Sequence, residues 1–239
     1  MASANDAVSY ACPNCGAPVA ATARACTYCH VALATRRCTH CFDHSAASAR
    51  HCATCGRELG LEPVAEASEL SCPACRNALA ALTEAGGTLF DCARCGGHFV
   101  EHALFRALIE QRASLAQSST IAPARSALQT QKVTYRPCAR CGALMHRKNF
   151  GGTSGVIVDV CPVHGIWFDA GELPEVLTFV ERGGLERARQ RDEERARRAR
   201  IEERSAHSKP FTNLESLENG STKESALVEL ITNFLLWLV

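Results

Sequence analysis

The chain has 239 residues, 26 Lys and Arg against 25 Asp and Glu, and a formal net charge of +1, so no global basic field marks it as a nucleic-acid binder. Aromatic residues make up only 6%, and much of the apolar fraction is Ala and Cys, which argues against one large hydrophobic core. What remains to carry the fold is an unusual stock of 15 cysteines.

Those cysteines fall in two-residue knuckles. In chain order they are Cys12/Cys15, Cys26/Cys29, Cys38/Cys41, Cys52/Cys55, Cys72/Cys75, Cys92/Cys95 and Cys138/Cys141, and the last knuckle is Cys161 with His164. The sixteen side chains fill four tetrahedral sites with none left over. Closed sets of thiolate and imidazole ligands are what structural zinc takes, so four Zn2+ ions are expected; rubredoxin-type knuckles make iron the alternative metal. Each cysteine-bounded stretch is shorter than the ~40 residues below which a fold usually needs metal or disulfides. A disulfide framework is disfavoured by the odd cysteine count and the close spacing of each pair. The first residues, Met-Ala-Ser-Ala-Asn-Asp, have no basic start and no apolar run, so no secretory signal is expected and a cytoplasmic location is. A thioredoxin-type redox motif occurs once beside a βαβ pattern, not in tandem knuckles.

The first two blocks repeat. Cys15 and Cys26 are separated by ten residues, as are Cys41 and Cys52, and "ATARAC" is echoed by "ASARHC". Equal gaps favour metal sites within each block over the rival pairing of Cys26/Cys29 with Cys38/Cys41. Residues 10–60 form this unit, and Leu61 to Ser68 reads as a linker. The third module, 69–113, has a turn at Gly86-Gly87, a strand at Thr88–Asp91, and Leu104, Phe105, Leu108 and Ile109 at helical spacing. Residues 114–131 read as a second linker. The fourth module, 132–184, has a strand over Val156–Val160. A helix follows it, with Asp169 and Glu172 at capping-box spacing, Pro174 in the first turn and Gly183-Gly184 as its stop. Residues 185–204 predict an exposed charged helix with Glu193–Arg197 and Glu194–Arg198 pairs. Residues 205–225 read as disordered. In 226–239, Leu227, Leu230, Ile231, Phe234, Leu235 and Leu238 share one face of an apolar amphipathic helix, too short to span a bilayer.

"CPNCGAPVAATARACTYC" and "CTHCFDHSAASARHCATCGREL" together resemble the double zinc ribbon found in many bacterial proteins. "CARCGGHFVEHALF" and "CPVHGIWFDAGEL" resemble the zinc ribbon of transcription-factor-IIB type, with Phe99 where Trp167 stands. The resemblance implies tandem zinc ribbons made of short β-hairpins, with zinc on the sixteen residues above, and it says little about activity. Glycine after the second ligand lets backbone N–H groups point at sulfur; Gly16, Gly56, Gly96, Gly142 and Gly165 hold that place, while His30 and Phe42 depart from it and predict looser sites. His40 and His51 lie beside ligands but out of register.

Closed sites leave no coordination position for a substrate, so an enzyme is not expected. His98, Glu101 and His102 could be imagined as an acid–base group, but a surface helix start is the ordinary reading. Lys132, Arg136, Arg140, Arg147 and Lys148, with Tyr135 and Phe150 interleaved, could meet a phosphate backbone and stack on bases; the plainer reading is a solvated basic loop. Trp167 and Phe168 are expected to cover the fourth metal site, the alternative being an exposed interface anchor. The apolar 226–239 could dock on the chain itself, on a partner groove or on a membrane surface, and its acidic polar face disfavours anionic lipid. These observations lead to a small metal-stabilised multi-domain chain. It is expected to act as a non-catalytic zinc-binding adaptor or scaffold through protein–protein contacts, with nucleic-acid or transcription-associated binding as the alternative. The first two ribbons are expected to touch and the others to move freely.

Overall fold

The computed structural model describes residues 9–61, 64–84, 86–116 and 134–207. The expected linker beyond residue 116, the expected disorder beyond 207 and the expected apolar helix 226–239 lie outside these residues.

Every knuckle with two cysteines is closed the same way. The first cysteine N–H donates to the carbonyl five residues on, and the residue after the second cysteine donates back to the first. Examples are Cys12 to Ala17 at 2.8 Å with Gly16 to Cys12 at 2.8 Å, and Cys138 to Ala143 at 2.7 Å with Gly142 to Cys138 at 2.9 Å. The turn requires a left-handed backbone at its fifth position. Gly16 and Gly142 supply it at φ 73° each, but so do His30 (58°), Phe42 (64°) and Arg76 (62°). The expectation that His30 and Phe42 loosen their sites is therefore corrected: both adopt the glycine conformation and keep the bond, with His30 N–H to Cys26 at 2.9 Å and Phe42 N–H to Cys38 at 2.9 Å. The Cβ penalty for a left-handed residue, ~1–2 kcal/mol, is small beside the ~10–16 kcal/mol that a structural zinc can contribute.

The first block contains the hairpin of β1 (Ser9–Ala11) and β2 (Pro18–Ala20), and the second that of β3 (Thr35–Arg37) and β4 (His44–Ala46). Tyr10 lies opposite Val19 and Arg36 opposite Ser45. The two blocks touch, as expected: Ala46 N–H donates to Ala21 at 2.9 Å and Ala47 to Ala34 at 3.1 Å.

The third module supplies β5 (Glu66–Ser71), β6 (Ala78–Glu84), β7 (Gly87–Asp91), β8 (His98–Glu101) and α1 (His102–Ala116). The fourth supplies β9 (His146–Asn149), β10 (Ile157–Cys161), β11 (Gly165–Phe168) and α2 (Glu172–Glu181), and α3 (Gly184–His207) follows. Here the expectation of freely moving third and fourth modules gives way. Their strands form one seven-stranded sheet in the order β5-β6-β7-β8-β11-β10-β9. The join is the antiparallel pair β8–β11, with Val100 opposite Ile166 and Phe99 opposite Trp167. Phe99 and Trp167 are equivalent positions of the two modules, so an internal pseudo-twofold axis passes between them, and α1 and α2, each following its joining strand, pack together.

Strand alternation sends side chains to two faces. On one, Leu89, Val100, Val158, Val160, Ile166 and Phe168 meet Leu104, Phe105, Leu108 and Ile109 of α1 and Leu173, Val176, Leu177 and Val180 of α2. On the other, Phe90, Phe99, Met145 and Trp167 pack among Cys72, Cys92, Cys138 and Cys161. Two glycines permit the join: a Cβ on Gly165 would lie 2.3 Å from the Val100 carbonyl oxygen, and one on Gly97 would lie 2.2 Å from Trp167 Cζ2.

The double block docks on this body. Phe42, 3% exposed, belongs to the same core cluster as the α1 and α2 residues. Around it Arg112 of α1 donates to Glu181 of α2 at 2.6 Å and to the His40 carbonyl, and His40 Nε2 lies 3.2 Å from Glu181. Arg24 donates to the Cys92 carbonyl at 2.5 Å.

The start of α2 keeps one bond of the expected capping box, but its N-cap is Gly171 and not Asp169. Glu172 Oε2 accepts from Asp169 N–H at 2.7 Å, but the Asp169 carboxylate accepts from Trp167 Nε1 at 2.9 Å and Arg136 at 2.7 Å instead of capping the helix. Burial pushes the Glu172 carboxyl up to about 8 from 4.5, with Asp169 and Asp159 adding to the shift. Between those values the unfolded chain ionises and the folded chain does not, so this group withdraws stability as pH rises through the window, and the loss is complete above the folded value. Glu172→Gln keeps an acceptor for Asp169 and removes the slope. The variant is expected to melt with the parent near pH 5 and above it at pH 9; a variant that melts lower at pH 9 would contradict this account.

The long charged helix is present as α3, exposed from residue 191 to 204. Its pairing differs from expectation: Arg189 meets Glu186 at 3.1 Å and Glu193 at 3.5 Å, and Arg195 meets Asp192 at 3.7 Å. Glu193 thus turns back to Arg189 rather than on to Arg197. Among the described residues no helix is long and apolar enough to cross a membrane.

Candidate metal centres

Four clusters gather the sixteen expected ligands: Cys12, Cys15, Cys26 and Cys29; Cys38, Cys41, Cys52 and Cys55; Cys72, Cys75, Cys92 and Cys95; and Cys138, Cys141, Cys161 and His164. The ligand atoms of each set lie within 4.8 Å of one another. The rival pairing across the first two blocks does not occur. A tetrahedron with Zn–S bonds of ~2.3 Å has an S···S edge of ~3.8 Å. The observed separations fit it: 3.8 Å for Cys12–Cys29, 3.7 Å for Cys15–Cys26, 3.7 Å for Cys38–Cys55, 3.5 Å for Cys41–Cys52, 3.6 Å for Cys72–Cys95 and 3.4 Å for Cys75–Cys92. All are far beyond the ~2.05 Å of a disulfide, and no cysteine is in a disulfide.

In the fourth cluster His164 turns Nδ1 inward, 3.8 Å from Cys138 Sγ and 3.5 Å from Cys161 Sγ, while Cys141 and Cys161 are 3.9 Å apart. Backbone N–H groups face sulfur as the turn demands: Tyr28 to Cys26 at 3.4 Å, Ala74 to Cys72 at 3.3 Å and Arg140 to Cys138 at 3.4 Å. Burial pushes the Cys55 and Cys138 thiols up to about 11, so a cation must displace their protons to bind. A hydrogen bond from Asn14 and the Val31 N–H hold Cys29 down to about 6. The donor sets fit four zinc ions, three on four thiolates and one on three thiolates and an imidazole.

Residues 12–56 match the family described as a double zinc ribbon, and residues 71–111 match the family described as a transcription factor zinc-finger. The chain carries a double zinc ribbon and a zinc ribbon of the transcription-factor-IIB type. Neither a curated protein nor a solved structure matches it. The fourth module lies outside both matched ranges; its ligand cluster and its symmetric pairing with the third ribbon make it a ribbon of this chain.

Residues imagined as chemistry take structural places. His98 is 1% exposed, not on a surface as expected, because β8 is an inner strand of the shared sheet. Its Nδ1 lies 3.1 Å from Asp91 Oδ1, which also meets His44 Nε2 at 3.4 Å and Arg24 at 3.6 Å. Burial works against the Asp91 charge, yet hydrogen bonds from His44 and His98 hold its carboxyl well below the usual range; burial holds His98 itself low and neutral. This cluster joins the double ribbon to the third ribbon. Its members are scattered at 24, 44, 91 and 98, with no spacing to reveal them. His102 Nε2 lies 2.8 Å from the Cys161 carbonyl oxygen, tying α1 to the fourth zinc knuckle. Glu101 accepts from Thr88 N–H at 3.1 Å and from Arg140 at 2.6 Å.

The basic cluster is likewise engaged within the chain. Arg136 pairs with Asp169 at 2.7 Å and lies 3.6 Å from Asp159, Arg147 lies 4.0 Å from Asp159, and Arg140 pairs with Glu101 while covering the Phe90 ring. Burial pushes the Asp159 carboxyl up to about 6 against Arg147 and Arg136. Phe150 is fully buried, whereas Tyr135 is exposed, so the imagined stacking pair is divided. Lys132 lies outside the described residues. Trp167, 0% exposed, covers the metal site as expected and is no surface anchor.

Proposed function

We propose that this chain is a non-catalytic zinc-ribbon adaptor that works through protein–protein contacts in the cytoplasm. The observation that carries the reading is that each metal cluster is closed by four protein ligands, the arrangement of structural rather than catalytic zinc. The zinc then serves as a staple, and function falls to surfaces held by the ribbons. A thiol-based metal set is stable in a reducing compartment, which supports the cytoplasm. The ion pairs of Arg136, Arg140 and Arg147 weigh against phosphate binding, since those pairs would have to open.

The second reading, nucleic-acid or transcription-associated binding, is favoured by the family description matched over residues 71–111. Fluorescence anisotropy of the zinc-loaded protein with single- and double-stranded DNA and RNA across a salt series separates the two. The adaptor reading expects no binding at low salt. Affinity that falls steeply with salt and is lost when Arg136, Arg140, Arg147 and Lys148 are neutralised would overturn it.

A further inference from the structure

The pseudo-twofold lets one ribbon serve as a control for the other. Leu79 of the third ribbon and Met145 of the fourth are equivalent and both buried. Ser71 pairs with Ala78 as Pro137 pairs with Leu144. Counting from these anchors, exposed Glu69, Ser71, Ala78 and Arg94 of the third ribbon correspond to Tyr135, Pro137, Leu144 and Val163 of the fourth. The same solvent-facing positions are polar or small in one copy and apolar in the other. Tyr135 is 65% exposed, Leu144 68% and Val163 76%. Single exposed apolar residues are ordinary, but here the first hairpin gathers Tyr135 and Leu144, and Val163 stands in the second knuckle of the same metal site. Tyr135 and Pro137 alternate onto one face, and Leu144 lies across from Pro137 on that face. The same alternation carries His146 and Lys148 along the strand beside them.

We propose that residues 226–239 dock in cis on this face of the fourth ribbon. The apolar residues Leu227, Leu230, Ile231, Phe234, Leu235 and Leu238 cover Tyr135, Pro137 and Leu144. Two observations select this occupant. The segment is the chain's own apolar run, and its spacing gathers its large side chains on one side. The chain between His207 and Leu227 can span up to ~60 Å at ~3.3 Å per residue, more than the ~36 Å length of α3, so the segment can return to the fourth ribbon. This inference is separate from the adaptor reading, which stands on closed zinc sites and falls if nucleic acid is bound.

The chain has two tryptophans, Trp167 in the core and Trp237 within the segment, so acrylamide quenching of the full-length protein reads the docking directly. In the zinc-loaded parent both are expected to be shielded. The variant carrying Tyr135→Glu, Leu144→Ala and Val163→Arg places the third ribbon's residues on the fourth. It should retain its zinc and its melting temperature while about half of its emission becomes quenchable. Half-quenchable emission already in the parent would overturn docking, and shielding unchanged in the variant would overturn the site. Shielding that disappears on dilution would assign the face to a second copy of the chain and overturn docking in cis.

Discussion

Cys92→Ala is expected to release two zinc ions, not one. Cys92 begins the knuckle after β7 and sits at 0% exposure in the cluster that also holds Phe99, Cys138, Cys161 and Trp167. A structural zinc contributes ~10–16 kcal/mol of apparent binding energy, as much as or more than the ~5–15 kcal/mol net stability of an ordinary domain. Without it the third ribbon cannot hold β8 in place. With β8 go the partner of β11, the packing of Phe99 on Trp167 and the seat of α1 against α2. The fourth ribbon therefore loses one side of its sheet and its helix contact together. Zinc measured by native mass spectrometry should fall from four per chain to two, and amide protection should vanish over residues 134–184 as well as 69–113. Three zincs, with protection of residues 134–184 intact, would show that the ribbons fold independently and would sink the account of a shared core.

Phe42→Gly is expected to undock the double ribbon while leaving every metal site filled. The residue does two jobs at once. Its backbone takes the left-handed turn at φ 64°, which glycine adopts without penalty, so the second zinc knuckle should persist. Its ring fills a place in the core of the ribbon pair, and removing a buried phenylalanine side chain costs ~3–5 kcal/mol. What remains at the junction is the polar set of Arg24, His44, Asp91 and His98 and the Arg112–His40–Glu181 contact. Limited proteolysis should then cut faster near Leu61 and Val64, which are already exposed, and small-angle scattering should report a longer particle, with four zincs still bound. Proteolysis and scattering unchanged from the parent would show that the polar contacts suffice and that Phe42 is not the anchor.

The ribbon order, the sixteen ligands and their division into four sites were legible because each lies within a short stretch of chain. A knuckle is a local turn, and a metal needs donor types at fixed small spacings. The α1 stripe of Leu104, Phe105, Leu108 and Ile109 was legible for the same reason, its period being a property of one helix. Phe42 could be seen to depart from glycine, but its partner core lies in residues remote in sequence, so its role as a docking ring was not. The acidic partners of Arg136, Arg140 and Arg147 are Asp159, Asp169 and Glu101, brought in from another strand, the approach to α2 and the neighbouring ribbon. A loop that reads as basic in sequence is thereby charge-paired in space. His98 read as surface because nothing near it announces that β8 becomes an inner strand.

The sequence by itself determined that this chain is a set of zinc ribbons, because tetrahedral coordination is specified by ligand chemistry and local spacing. Only the tertiary structure decided that two of those ribbons share one sheet about a pseudo-twofold and that the double ribbon rests on their helices. Those arrangements depend on edge strands, a buried ring and ion pairs meeting across long separations, and no local pattern encodes which edges and faces will meet.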